Sequence, residues 1–215
     1  MAQQTITALY DRYEDASAAV GEIEGSGIPH GDVSLVSNNE NDRHAGVVGG
    51  GTAETRERTK DSAKDGTGAG ATLGTVAGGA AGLLAGLGLI AIPGIGPVVA
   101  AGWLVATLTG AGIGAAAGGL AGALTGAGVS EGDAHAYGEG VRRGGTLVTV
   151  RVDPARAALA PTVAAILERY GAVDLDEKAS GWRAEGWTAP HAGADPAGVT
   201  GDRSRVRTYP ATTDL

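Results

Sequence analysis

Residues 5–10 (TITALY) alternate β-branched, aliphatic and aromatic side chains and read as a strand. Asp11 stands where a helix cap is expected, with Glu14 three positions on in a box-like arrangement. Ala16, Ala19, Val20 and Ile23 then recur at helical spacing until Gly25 or Gly27 ends the run. Residues 32–37 (DVSLVS) form a second strand, so 4–37 is a first β-α-β half. Apolar order stops there. Residues 38–65 are a polar linker, and its stretch 53–64 (AETRERTKDSAK), polar all round, suits a solvated helix or a loop. Periodicity resumes near the other end. Ser130 and Asp133 mark the start of a short helix over 131–143, which Gly144 and Gly145 close. Residues 146–152 (TLVTVRV) carry the strongest strand pattern in the chain. Asp153-Pro154 opens a further helix with Leu159, Val163, Ile166, Leu167 and Tyr170 on one stripe, and 172–175 reads as a last short strand. Residues 130–178 are therefore the short helix plus a second β-α-β half. Residues 179–215 show little periodicity, despite Trp182, Trp187 and Tyr209, and are expected to form a disordered tail.

Between the halves the pattern changes kind. Residues 66–130 contain no Asp, Glu, Lys, Arg or His, and glycine recurs at every fourth position: Gly66, Gly70, Gly74, Gly78, Gly82 and Gly86. After IPGIGP (92–97) the ruler restarts as Gly110, Gly114, Gly118, Gly122 and Gly126, with Gly102 and Ala106 in phase ahead of it. Residues four apart share a helix face, so each ruler is a ridge without side chains that another backbone can approach closely. The spacing predicts a Gly-zipper helical hairpin over 66–129. Its arms are 67–92 and 97–128, and its turn at 93–97 is made by Pro93, Gly94, Gly96 and Pro97. The arms would run roughly 39 and 48 Å, longer than the roughly 20 residues that cross a bilayer. Each glycine costs a helix about 1 kcal/mol relative to alanine, so the hairpin needs lipid or partner helices around it. Trp103 suits an interfacial anchor or a packing filler beside the ridge.

Two β-α-β halves of this size combine as an α+β, ferredoxin-like sandwich: four antiparallel strands, two helices on one face, and the Gly-zipper hairpin inserted between the second and third strands. Residues 1–65 hold twelve acids against six bases and residues 131–215 twelve against ten, so neither end offers a nucleic-acid surface. Absence of cysteine excludes disulfides and thiolate chemistry, and the first residues lack the pattern of a signal peptide. If the hairpin spans a membrane, Arg56, Arg58, Lys60 and Lys64 before it and Arg142 and Arg143 after it favour the cytoplasmic side. Arg142 and Arg143 could then touch lipid headgroups, or simply end their helix.

Catalytic motifs are missing: no GxSxG, HExxH or Walker loop occurs, and the nearest approach to a dinucleotide fingerprint, Gly112 to Ala117, lies inside an apolar run. The four histidines, His30, His44, His135 and His191, fall in different segments, and His135 lies near Asp133, Tyr137 and Glu139 on an acidic helix surface. Asp174, Asp176 and Glu177 read as exposed edge charge. No catalytic, cofactor or metal residue is therefore assigned.

Taken together, TITALYDRYEDASAAV, DVSLVS, IPGIGPVVAAG, GVSEGDAHAYGEGVRRGGTLVTVRV and ILERYGAVDLDE resemble the bacterial general stress protein 17M-like family (heat-induced stress protein, YflT-like) over roughly residues 4–178. The resemblance implies a stress-induced bacterial protein and brings no catalytic residues with it. The expectation is a non-enzymatic stress-response protein whose cytoplasmic domain is held at the inner membrane by the hairpin and self-associates there. The alternatives are a soluble cytoplasmic homo-oligomer with hairpins buried in its core, and a ligand-sensing ferredoxin-like module.

Overall fold

Residues 146–152, the strongest strand pattern, become the middle of the sheet. The computed structural model describes residues 3–39, 88–92, 96–105, 114–188 and 205–210. Its elements run β1 (Gln4–Tyr10), α1 (Tyr13–Gly25), a 3-10 turn (His30–Asp32), β2 (Val33–Asn38), β3 (Gly88–Ile92), β4 (Gly96–Gly102), α2 (Gly114–Gly126) and α3 (Glu131–Arg142). Then come β5 (Thr146–Val152), a 3-10 segment (Pro154–Leu159), α4 (Ala160–Arg169), α5 (Leu175–Ala184) and β6 (Val206–Pro210). The fold is α+β. Its strands form one antiparallel sheet in the order β3-β4-β2-β5-β1-β6.

Both faces of the sheet are covered, which is why β1 reads TITALY rather than strictly alternating apolar and charged residues. Ile6, Tyr10, Leu35, Val148 and Val150 point to one face and meet Ala16, Val20 and Ile23 of α1 and Val163, Ile166 and Leu167 of α4. Tyr10 donates its hydroxyl to the Leu167 carbonyl at 2.8 Å, satisfying the one polar atom it carries into that core. Leu9, Val36, Val98 and Leu147 point to the other face, beneath α2, α3 and α5. On that side α3 lies very close to the sheet. A Cβ on Gly140 would stand 2.6 Å from Leu9 Cδ2, so any larger residue here would push the Leu9 side chain aside.

Expectations for α1, α3 and β5 match the structure, including Ser130 as the α3 cap, whose hydroxyl accepts from the Asp133 N–H. Four others are corrected. First, Arg12, not Asp11, is the N-cap residue of α1, and it makes no side-chain cap; Asp11 accepts instead from Lys178 Nζ at 2.8 Å. Second, 172–175 is not a strand: Asp174 caps α5, accepting from the N–H groups of Asp176 and Glu177. Third, 179–215 is not wholly a disordered tail, because it supplies most of α5 and all of β6.

Fourth, residues 88–92 and 96–102, expected at the meeting point of two helical arms, are strands β3 and β4. The hairpin exists, but as a β-hairpin, with Gly96 and Pro97 opening β4 opposite Ile92 and Ala91. Pro93 and Gly94 lie outside the described residues. The physical reason is the partner: β2 offers a free edge, and Val98, Val99, Ala100 and Ala101 pair along it. Gly102, in phase with the ruler, serves this pairing. It has φ +88°, and a Cβ there would fall 2.0 Å from the Val33 carbonyl oxygen.

The second half of the ruler does contain a helix, α2, with a break in helical geometry at Gly119. Leu120 and Leu124 are fully buried against the sheet side, while Gly122 is half-buried and Gly126 exposed, with open space where its Cβ would be. The two glycines inside helical turns of α2, Gly118 and Gly122, cost about 2 kcal/mol in helix propensity. Burying two leucines returns about 3–6 kcal/mol, so packing, not propensity, holds this helix. Gly70, Gly74, Gly78, Gly82, Gly86 and Gly110 lie outside the described residues.

Candidate functional site

One cluster of buried polar side chains sits where β6 meets α3 and α5. Along β6, Val206 points into the α1/α4 core, and Arg207 and Tyr209 point the other way. Arg207 is 6% exposed. It donates through Nη1 to Asp133 Oδ1 of α3 and through Nη2 to Asp176 Oδ1 of α5, the latter at 2.8 Å. Tyr209 donates its hydroxyl to the other oxygen of Asp133 at 2.7 Å. Beside them, Thr7 of β1 donates to the Tyr137 hydroxyl at 2.8 Å. One edge strand is thus tied to two helices and to the central sheet by a continuous polar chain.

The electrostatics of the cluster follow from burial and pairing. Burial alone would lower the Arg207 pKa, but Asp133, with the two phenols and Asp176, holds it above its usual value, so the guanidinium stays charged. Burial pushes Tyr137 up to about 12, against the hydrogen bond from Thr7 and the charge of Arg207. Tyr209 is raised further, by burial and then by Tyr137 and Asp133. Both phenols are neutral hydrogen-bonding groups at neutral pH, and neither is poised as a base.

A second cluster stands at the other end of α3. Arg142 donates from Nε and Nη2 to Glu139, both at 2.6 Å, and Arg143 donates to the same carboxylate from Nε. Arg143 also reaches Glu185, the residue that ends α5, and lies over the Trp182 ring, 5.5 Å from its centre. Burial works against ionisation of Glu139, yet the hydrogen bonds and charges of both arginines outweigh it and hold the carboxyl below its usual range. Of the two arginines read as lipid contacts or as the end of their helix, both pair with Glu139, and Arg143 also ties α3 to the end of α5. Next to them is a shallow cleft of about 480 Å³, whose rim includes Asp174, Glu177, Lys178, Trp182 and Arg205. Its charges are mixed and several are already paired: Lys178 to Asp11, and Asp174 to the start of α5.

The residues singled out from the sequence do not converge. His30 Nδ1 lies 2.8 Å from Glu24 and His135 Nε2 4.0 Å from Glu131, on separate elements, and His44 and His191 are outside the described residues. Trp103 is packed inside, with the Arg151 guanidinium 4.5 Å from its ring. Asp176, read as edge charge, is half of the Arg207 clamp. Sequence reasoning missed the Asp133–Arg207–Tyr209 cluster altogether, since its members are 74 and 76 residues apart. The available signal was an Arg-x-Tyr segment (VRTYP) alternating inside a stretch otherwise rich in Gly, Ala and Asp. Compared with protein-family models, curated proteins and solved structures, the chain finds no match.

Proposed function

We propose that the protein is a non-enzymatic stress-response module, a ferredoxin-like α+β domain that self-associates through its glycine segment. The ferredoxin-like reading draws on the order β2-β5-β1-β6, with α1 and α4 on one face. The stress role rests on the family resemblance. Self-association rests on one observation: α2 turns Leu120 and Leu124 into the core and leaves Gly122 and Gly126 on its outer side. A side-chain-free ridge facing outward lets another helix backbone approach closely, and the ruler of residues 66–86 has the same spacing. The partner is a second copy of this chain, packed against this ridge.

Membrane insertion of the hairpin is the weaker alternative. Strands β1 and β2 precede residues 66–87, while β4 and β5 follow them in the same sheet. A single crossing by that segment would separate strands that are hydrogen-bonded, and the second arm contributes β4 to the sheet. Among the described residues no helix is long and apolar enough to cross a membrane.

The test is molar mass by light scattering, without detergent, for the wild-type chain and Gly126→Leu. Open space at Gly126, the exposed last residue of α2, means the fold tolerates leucine there. The expected result is a defined oligomer for the wild type and a smaller species of unchanged circular dichroism for the variant. Equal masses would sink the ridge as the contact, and retention of the wild type in carbonate-washed membranes would restore the inserted hairpin.

A further inference from the structure

We infer that β6 is an exchangeable strand: the groove that it fills, between the outer edge of β1 and the acidic sides of α3 and α5, also accepts residues 206–210 of a second copy of this chain. The groove reads an extended segment in three ways at once. Its backbone pairs antiparallel with β1 from Gln4↔Pro210 to Ala8↔Val206. Two aspartates from different helices take the guanidinium of Arg207, and Asp133 also takes the Tyr209 hydroxyl. Val206, 4% exposed, fills a hole on the opposite face. Main-chain ladder plus pockets for alternate side chains is the manner in which an added strand is recognised. An Arg followed two positions later by Tyr occurs nowhere else in the chain, so the occupant that fits is β6, from this copy or another.

The connection permits both. β6 is joined to the rest through residues 189–204, sixteen residues with a contour of about 53 Å. A compact fold of about 150 residues is roughly 40 Å across, so the segment is long enough to carry β6 into a neighbouring copy. Every contact of β6 would be the same in either arrangement, and only the effective concentration of the competing strands differs. Exchange is therefore favoured wherever copies are held together, and it requires no surface beyond those described. It stands on observations separate from the glycine ridge.

The chain has no cysteine, which makes the test direct. Gln4 and the exposed Pro210 face one another across β1 and β6. Gln4→Cys and Pro210→Cys chains are mixed, incubated and then oxidised, and the products are mapped by mass spectrometry. The expected product is a covalent heterodimer joined 4 to 210, in several-fold excess over the 4–4 and 210–210 dimers of collision. The double variant Gln4→Cys/Pro210→Cys checks that the bond can form across this pair. Complete closure of the double variant within single chains, with no 4–210 heterodimer from the mixed singles, overturns the inference. Repeating the mixture with Gly126→Leu in both chains separates the two readings, because a heterodimer that survives there shows exchange independent of the ridge.

Discussion

Glu139 is nearly buried yet ionised, because two arginines donate to it from the next turn of its own helix. Its folded pKa lies below its unfolded one. The stability it contributes is therefore present above the ordinary glutamate value, about 4.3, and is lost as pH falls through the lower folded value. Glu139→Gln should cost about 2 kcal/mol at neutral pH, and thermal melts at a series of acidic pH values should show a flatter profile for it than for the wild type. The phenols set the opposite limit. Tyr137 and Tyr209 are raised, so their contribution is complete below about pH 10 and disappears as pH rises towards their folded values. Absorbance titration should show tyrosinate appearing together with unfolding, well above pH 10, rather than gradually around it. At Arg207, truncation to alanine leaves two carboxylates facing a cavity, one of them largely buried, and should destabilise by about 3 kcal/mol. Lysine should recover only part of that, since one ammonium cannot reproduce a fork between Asp133 and Asp176. Chemical denaturation reads both.

Among the elements, those whose pattern is local were legible from the chain alone: the stripe of α1, the alternation of β1, the β-branched run of β5 and the Ser130 cap of α3. Those decided by a distant partner were not. Ile90, Ile92, Val98 and Val99 fit a strand or a buried helix equally, and the glycine phase pointed to the helix; the edge of β2 decides for the strand. At β6 the strand carries an arginine inward, a choice that makes sense only beside Asp133 and Asp176. The start of α5 did have a readable signal, an Asp174 cap with Asp176 and Glu177 in the first turn, but a short strand assigned to 172–175 hid it. The clearest check on the revised hairpin is Gly102→Ala. Its Cβ would strike the Val33 carbonyl and its positive φ disfavours any side chain. A loss on the order of 3 kcal/mol is expected, with faster amide exchange along β4 and the outer edge of β2. Were 96–102 helical and on a zipper ridge, alanine would instead be close to neutral.

Across the whole molecule, the polar cluster at one end of α3 holds α3 and α5 to the sheet, the cluster at its other end ties α3 to the end of α5, and the glycine stretch divides its labour. Part of it builds an edge of the sheet, and part, as α2, forms a lid over the sheet with a bare ridge outside. The strand order has a further consequence, for the way the chain reaches this state. β1 leaves the ribosome well before either of its two neighbours, residues 146–152 and 206–210. Until residue 152 has been synthesised, β1 and β2 have no β5 between them, and the uncharged glycine stretch is made during that interval. Pairings so far apart in sequence are slow to form, and exposed strand edges invite wrong partners meanwhile. Nascent chains of this protein should therefore bind a general chaperone until release, and refolding from denaturant should lose yield steeply with concentration.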